Sequence, residues 1–301
     1  MSSNPAIQDF AFAFLGLLFE GAPFIVLGTL FSGFIDAYLS PNLLTKALPK
    51  QKIPAILVAG LLGLVLPVCE CAIVPVIRRL IGKGLPVGCA FAYMLAAPIV
   101  NPITLFSTYK AFGGDWTMAY SRLGMGYVIA VMVAMIVSAL PIGAVLKKHI
   151  IKRNGDDAFH DHGKGGKLAH AMRTAQSDFV DVAVYFTLGI AVTSLFNTGV
   201  APGLSTLDSI ADSQWGAPAS LMGVAFFLSL CSSSDAFVVA ALDRFTYSAK
   251  LAFLVFGPMV DLKLIFLYQT ILRPKFLAAM VVFLFTVTLL ACLAWEKLPL
   301  P

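Results

Sequence analysis

The sequence predicts an all-α polytopic membrane protein, with about eight transmembrane helices in two repeated halves whose broken helices meet near the midplane. Three observations predict it. The 301 residues are 59% hydrophobic and 12% charged, more apolar surface than the cores of one or two soluble domains of that length bury. Apolar segments of about twenty residues recur along the whole chain, each long enough to cross a hydrocarbon layer of about 30 Å. Two polar, proline-marked segments of the first half also match two of the second.

Taken in order, the first segment covers about 9–35 and contains Glu20 in Glu-Gly-Ala-Pro. The start, MSSNPAIQDF, lacks the basic stretch of a cleaved signal peptide. The second segment, about 54–82, contains Pro67-Val-Cys-Glu-Cys-Ala-Ile-Val-Pro75, two thiols and a carboxylate between two prolines. The third, about 84–110, contains Pro98-Ile-Val-Asn-Pro102. The fourth runs over about 118–146. Residues 147–176 form a basic linker; from Lys147 to Arg173 it has seven Lys/Arg and three Asp in a Gly-rich stretch. Spans at about 178–199, 217–243, 249–272 and 276–296 complete the second half, 177–301, against a first half of 1–146.

The halves match at two places. Leu66-Pro-Val-Cys-Glu-Cys-Ala-Ile-Val aligns with Leu230-Cys-Ser-Ser-Ser-Asp-Ala-Phe-Val, and Pro98-Ile-Val-Asn101 with Pro258-Met-Val-Asp261. Four crossings per half make the repeats parallel. One re-entrant hairpin per half makes them inverted, as in many secondary transporters, and the sequence leaves both open. The positive-inside rule puts the linker in the cytoplasm; with eight crossings both termini share that side. The turn with Lys46, Lys50 and Lys52 opposes this orientation, whereas the loop from Val200 to Trp215, with Asp208 and Asp212 and no Lys or Arg, agrees with it.

Proline removes the donor for the carbonyl four residues earlier, so Pro67, Pro75, Pro98 and Pro102 free the carbonyls of Gly63, Cys71, Met94 and Pro98. Ordinary kinks are one reading; a binding site built on broken helices is the other, favoured by the polar residues at each break. Cys69 and Cys71 diverge by about 200° on a regular helix, so they converge only where the backbone unwinds. Thiolates suit soft ions and metalloids, while buried cysteine also packs as a small hydrophobe. Cys231 is a third candidate sulfur; Cys89 and Cys292 look like packing. Glu70, Asp235, Asp261 and Glu20 are carboxylates at membrane depth and hence candidate proton carriers, unless Lys263 ties Asp261 or Asp235 in a structural pair. Ser232, Ser233 and Ser234 satisfy local carbonyls or line a polar path, and Asn101 adds a donor and an acceptor at the second break.

Arg78, Arg79 and Lys83, with Arg244 and Lys250 in the second half, read as interface anchors. All four histidines lie in the linker, where His160-Asp-His162 makes no compact ligand set, so no resident metal or other cofactor is expected. No phosphate-binding loop of an ATPase occurs, and the small net charge of +5 gives no sign of nucleic acid. The expectation is a transporter, not an enzyme, whose partners are the lipid bilayer and a small-molecule or metalloid substrate.

The run from Leu66 to Gly88, continued by Leu95-Ala-Ala-Pro-Ile-Val-Asn-Pro-Ile-Thr, and its counterpart Ser232-Ser-Ser-Asp-Ala-Phe with Gly257-Pro-Met-Val-Asp-Leu-Lys, resemble the hallmarks of the ArsP-type permeases over essentially the whole chain. The resemblance implies a bacterial inner-membrane permease with two four-span halves, from a family whose characterised members export trivalent organoarsenicals. By motif it carries over Pro67, Cys69, Glu70, Cys71, Pro75, Pro98, Asn101, Pro102, Ser233, Ser234, Asp235, Pro258, Asp261 and Lys263. The resulting expectation is proton-coupled efflux of a soft, thiol-reactive solute. Cys69 and Cys71 make thiol contacts, Glu70 and Asp235 handle protons, and Asn101 and Asp261 complete the site. The alternatives are a permease or channel for another metal ion, small anion or sulfur compound, and a membrane thiol oxidoreductase.

Overall fold

The computed structural model describes residues 5–40, 48–66, 68–147, 164–200 and 213–296. Pro67, Lys46, Asp208, Asp212, His149, His160 and His162 lie outside them. Among the described residues the secondary structure is helical apart from one isolated bridge, Leu146 with Leu272. The helices are α1 (Pro5–Tyr38), α2 (Lys52–Val65), α3 (Glu70–Gly82), α4 (Val87–Ala96), α5 (Pro102–Ala111), α6 (Trp116–Ala139), α7 (Ile142–Val145), α8 (Lys164–Val200), α9 (Gly216–Leu228), α10 (Asp235–Ala240), α11 (Tyr247–Met259), α12 (Leu262–Tyr268) and α13 (Pro274–Glu296).

All eight expected segments are present in order, and five of them hold two helices each. α2 and α3 have 14 and 13 residues, about 20 Å each, too short to cross the hydrocarbon layer singly. Their direction follows from their neighbours. Along α1 and α3, Gly28 meets Ala72, the Ser32 hydroxyl donates to the Pro75 carbonyl and Lys83 reaches Asp36, so these helices run parallel and finish at one end of the molecule. α4 starts from that end after a four-residue turn. α2 runs parallel to α4, with Ile56 beside Gly88 and Gly63 against Ala97. The segment 52–82 therefore enters and returns to the same end: it is a re-entrant hairpin. The next segment crosses, because α5 leads by a short turn into α6, which returns with Ala134 and Ser138 beside Gly88.

The second set repeats this order from the other end. α8 is antiparallel to α1, with Ala171 and Ala175 at Gly33 and Phe186 at Gly21. The inner ends of α9 and α11 meet at Ala225 and Gly257. α11 starts beside the first turns of α6, where Tyr247 donates to Ser121. α12 leads back to the linker end, where Arg273 and Lys147 exchange backbone hydrogen bonds with Val145 and Ile271. Among the described residues, six segments thus run from one end of the molecule to the other and two hairpins turn back. On this layout α1 starts and α13 ends at the end of the molecule opposite the start of α8. The linker is also shorter than 147–176, since α8 already begins at Lys164.

Burial follows this layout. From Gly88 to Ala96 every residue of α4 is buried, as is α11 from Leu251 to Phe256, which is what helices apolar all round do when protein surrounds them. α1, α8 and α13 expose Phe12, Phe19, Leu195 and Val282, the outward apolar faces a bilayer covers. Trp116, stacked on Tyr109 and Tyr120 at the turn before α6, belongs with the aromatic residues that settle at membrane interfaces.

Candidate functional site at the hairpin tips

The helices break where the polar residues stand. Cys69, in extended backbone, is the N-cap residue of α3, and Glu70 is its first residue. Cys69 lies off the helix, and Cys69 and Cys71 line one cavity with Glu70. The other walls are Glu20, Gly21 and Phe24 of α1, Phe186 of α8, Cys231 from the opposite hairpin, and Lys263. Cysteines from both halves thus line the same space. Its free volume is about 10 Å³, about what one water needs. Among the described residues no three His, Cys, Asp or Glu side chains are close enough to hold a metal ion.

Lys263, 3% exposed, is the hub of the charges. Its ammonium donates to the carbonyls of Ser229 at 2.6 Å and Leu230 at 3.2 Å, and stands 3.2 Å from Asp261 Oδ2 and 3.5 Å from Glu70 Oε1. Ser229 ends α9 in the left-handed region, φ 50°, a conformation that costs a non-glycine residue about 1–3 kcal/mol and persists where the surroundings enforce it. The bond from Lys263 to its carbonyl supplies such enforcement. Asp261 caps α12, its Oδ1 accepting from the Leu264 backbone at 2.7 Å.

A second charged pair lies across the site. Arg122, from α6 and 1% exposed, forks onto Asp235 at the start of α10, with N–O distances of 3.0 and 2.7 Å. The same guanidinium donates to Thr108 and to the Ser232 carbonyl. Ser232 links the pairs, its hydroxyl donating to Glu70 Oε2 at 3.1 Å, and Thr104 approaches that hydroxyl at 3.5 Å. Ser234 donates to Glu20, and Ser233 points at Cys231. Asn101 is engaged elsewhere: it caps α5 by accepting from the Ile103 backbone, with Pro102 in the first helical position.

The prolines divide by position. Pro98 lies in the break between α4 and α5, whereas α3 runs through Pro75 and α11 through Pro258. The break expected at Pro75 is not formed, since a single missing donor leaves the other backbone bonds of the helix in place. Arg122 was missed by sequence reasoning. It stands in the second turn of a span, where an arginine reads as an interface anchor; its one signal was being the only charge within that span. Thr104 and Thr108, one turn apart on α5, were missed too.

The linker end carries a separate network. Arg79, expected to anchor at the interface, is 7% exposed and forks onto Asp178 of α8 at 2.9 and 2.8 Å. Ser32 also donates to Asp178. Asp36 of α1 is approached by Arg79, Lys83 and His170 at 3.5, 3.6 and 3.2 Å. These contacts tie α1, α3 and α8 together on the linker side of the cavity.

Two opposed hairpins with a buried charged centre between their tips define a polytopic helical membrane protein built around an interior polar site. The chain belongs to the family described as "Predicted permease" (ArsP_1), whose model matches residues 7–296. It is similar to the UPF0718 protein YcgR of Bacillus subtilis, 34% identical over 96% of this chain and 97% of that one. It is also similar to the "Putative two-component membrane permease complex subunit" of Streptococcus mutans, 36% identical over 88% of this chain and 87% of the relative. The UPF0718 protein YraQ of Escherichia coli is 26% identical over 45% of this chain and 38% of its own length. No solved structure matches. The chain is a membrane permease.

Proposed function

We propose that this permease exports a soft, thiol-reactive solute, such as a trivalent organoarsenical, in exchange for protons across a bacterial inner membrane. The observation that carries the reading is the convergence of Cys69, Cys71 and Cys231 on one cavity with Glu70 and Lys263. Soft sulfur ligands favour arsenic(III) over hard ions. Methylarsenous acid and two thiols condense to a dithioarsenite and two waters, with no net proton gained or lost. The coupling proton is therefore a matter for the carboxylates. A site with one or two sulfurs binds less firmly than a full three-thiolate cage, and so releases its cargo.

The matching order of the two sets of helices, entered from opposite ends, supports an inverted repeat of 1–146 and 177–301. The narrow cavity and the ion pairs on its linker side fit a closed state of an alternating-access cycle. A second reading, in which carboxylates coordinate a different cargo, requires Asp235 to be available, and Arg122 already engages both of its oxygens.

The test is uptake of methylarsenite into everted vesicles under an imposed pH gradient, with arsenite, arsenate and zinc as comparators. Gradient-dependent accumulation of methylarsenite, lost in the Cys69→Ser/Cys71→Ser double variant, is the expected result. Uptake unchanged in that variant at equal expression removes thiol ligation. No accumulation of any of them by folded protein removes arsenic as the cargo.

A further inference from the structure

The charges at the hairpin tips do not balance, and their geometry says where the imbalance lies. Glu70, Asp235 and Asp261 are 1–3% exposed, as are Arg122 and Lys263: three carboxylates against two cations. Arg122 and Asp235 form a fork with both oxygens occupied, a self-neutral unit. Lys263 is left with two carboxylates, at 3.2 and 3.5 Å. Asp261 Oδ2 is buried without a hydrogen bond of adequate geometry, so this corner has an acceptor to spare. An uncompensated charge at membrane depth costs several kcal/mol.

We propose that Glu70, Lys263 and Asp261 act as one unit carrying a single exchangeable proton, held between the two carboxyls, and that this is the proton exchanged for cargo. The proposal deepens the proton-coupled reading above and rests on it for the second clause only. The proton belongs to the pair, since both carboxyls face the one ammonium. Glu70 is the member with an outlet, because it alone of the two lines the cavity. Facing it are Glu20 from α1, Cys69 and Cys71 beside it, Cys231 and Ser232 from the opposite hairpin, and Lys263 and Asp261 at α12. Asp235 and Arg122 follow behind Ser232. Glu20 is part-exposed and accepts a hydrogen bond from Ser234. A neutral cargo that condenses with the thiols leaves the charge count unchanged. Loss of the proton exposes a full negative charge beside Lys263, which favours rearrangement of that corner.

Infrared difference spectroscopy on the purified full-length protein in lipid nanodiscs tests this without any cargo. At neutral pH wild type is expected to show the carbonyl band of one protonated carboxyl, removed on raising the pH. Glu70→Gln is expected to abolish that band, because one carboxylate then faces one ammonium. Lys263→Gln is expected to double it, and Lys263→Arg to restore a single band, which separates the charge effect from a folding defect. No band in wild type, a band that survives Glu70→Gln, or a band removed by sodium at constant pH would each overturn the proposal. Failed methylarsenite uptake with these bands present would instead strike the cargo reading alone.

Discussion

At the scale of single residues, two ion pairs of the centre join distant parts of the chain. Arg122 and Asp235 are 113 positions apart and Lys263 and Glu70 193. Truncating one member strands the other, which for a buried pair costs about 3–5 kcal/mol, while replacing both by apolar groups is often near neutral. Arg122→Met is therefore expected to lower the thermal unfolding midpoint in detergent markedly, and Arg122→Met with Asp235→Leu to recover most of it; equal losses in both would mean that the fork is not a coupled unit. The sequence marked Glu70, Asp235 and Asp261 as polar residues at membrane depth and gave Lys263 as a partner for Asp261 or Asp235; Asp235 pairs with Arg122 instead. The fork from Arg122 was not legible, because proximity between α6 and α10 depends on packing.

Helices meet closely in this fold where glycine permits it. A Cβ on Gly28 would lie 2.5 Å from that of Ala72, and one on Gly189 3.0 Å from the Lys263 backbone. Small residues of this kind let helices approach without a hydrophobic driving force in lipid. Gly28→Val is expected to push α1 from α3 and lower the yield of folded protein in size-exclusion chromatography, with Gly16→Val as a control, since nothing lies within 4 Å of a Cβ there. The fork between Arg79 and Asp178 fastens α3 to α8 at the linker end. Asp178→Asn is expected to loosen that seal and raise labelling of Cys69 by a membrane-impermeant thiol reagent added from the linker side. Unchanged labelling would show that the seal lies elsewhere. The break at Pro98 was legible from its motif, whereas the one expected at Pro75 is absent. The hairpin at 52–82 was not, since an apolar stretch of 31 residues reads the same whether it crosses or returns.

For the molecule as a whole, the hairpins decide sidedness. With six crossings, reporters fused to the two termini are expected to report one side of the membrane and a reporter placed in the linker at 148–163 the other. All three on one side would restore eight crossings. By itself the sequence determined the solvent, since a chain 59% hydrophobic and 12% charged has to be dissolved by lipid. It also determined the helical class and the segments in which the polar residues fall, because hydropathy and proline act along the chain. Only the tertiary structure decided which segments turn back, which cation meets which carboxylate, and that cysteines of both halves line one cavity. Those facts depend on contacts between residues on different helices, and the local pattern is the same for every partner they could have had.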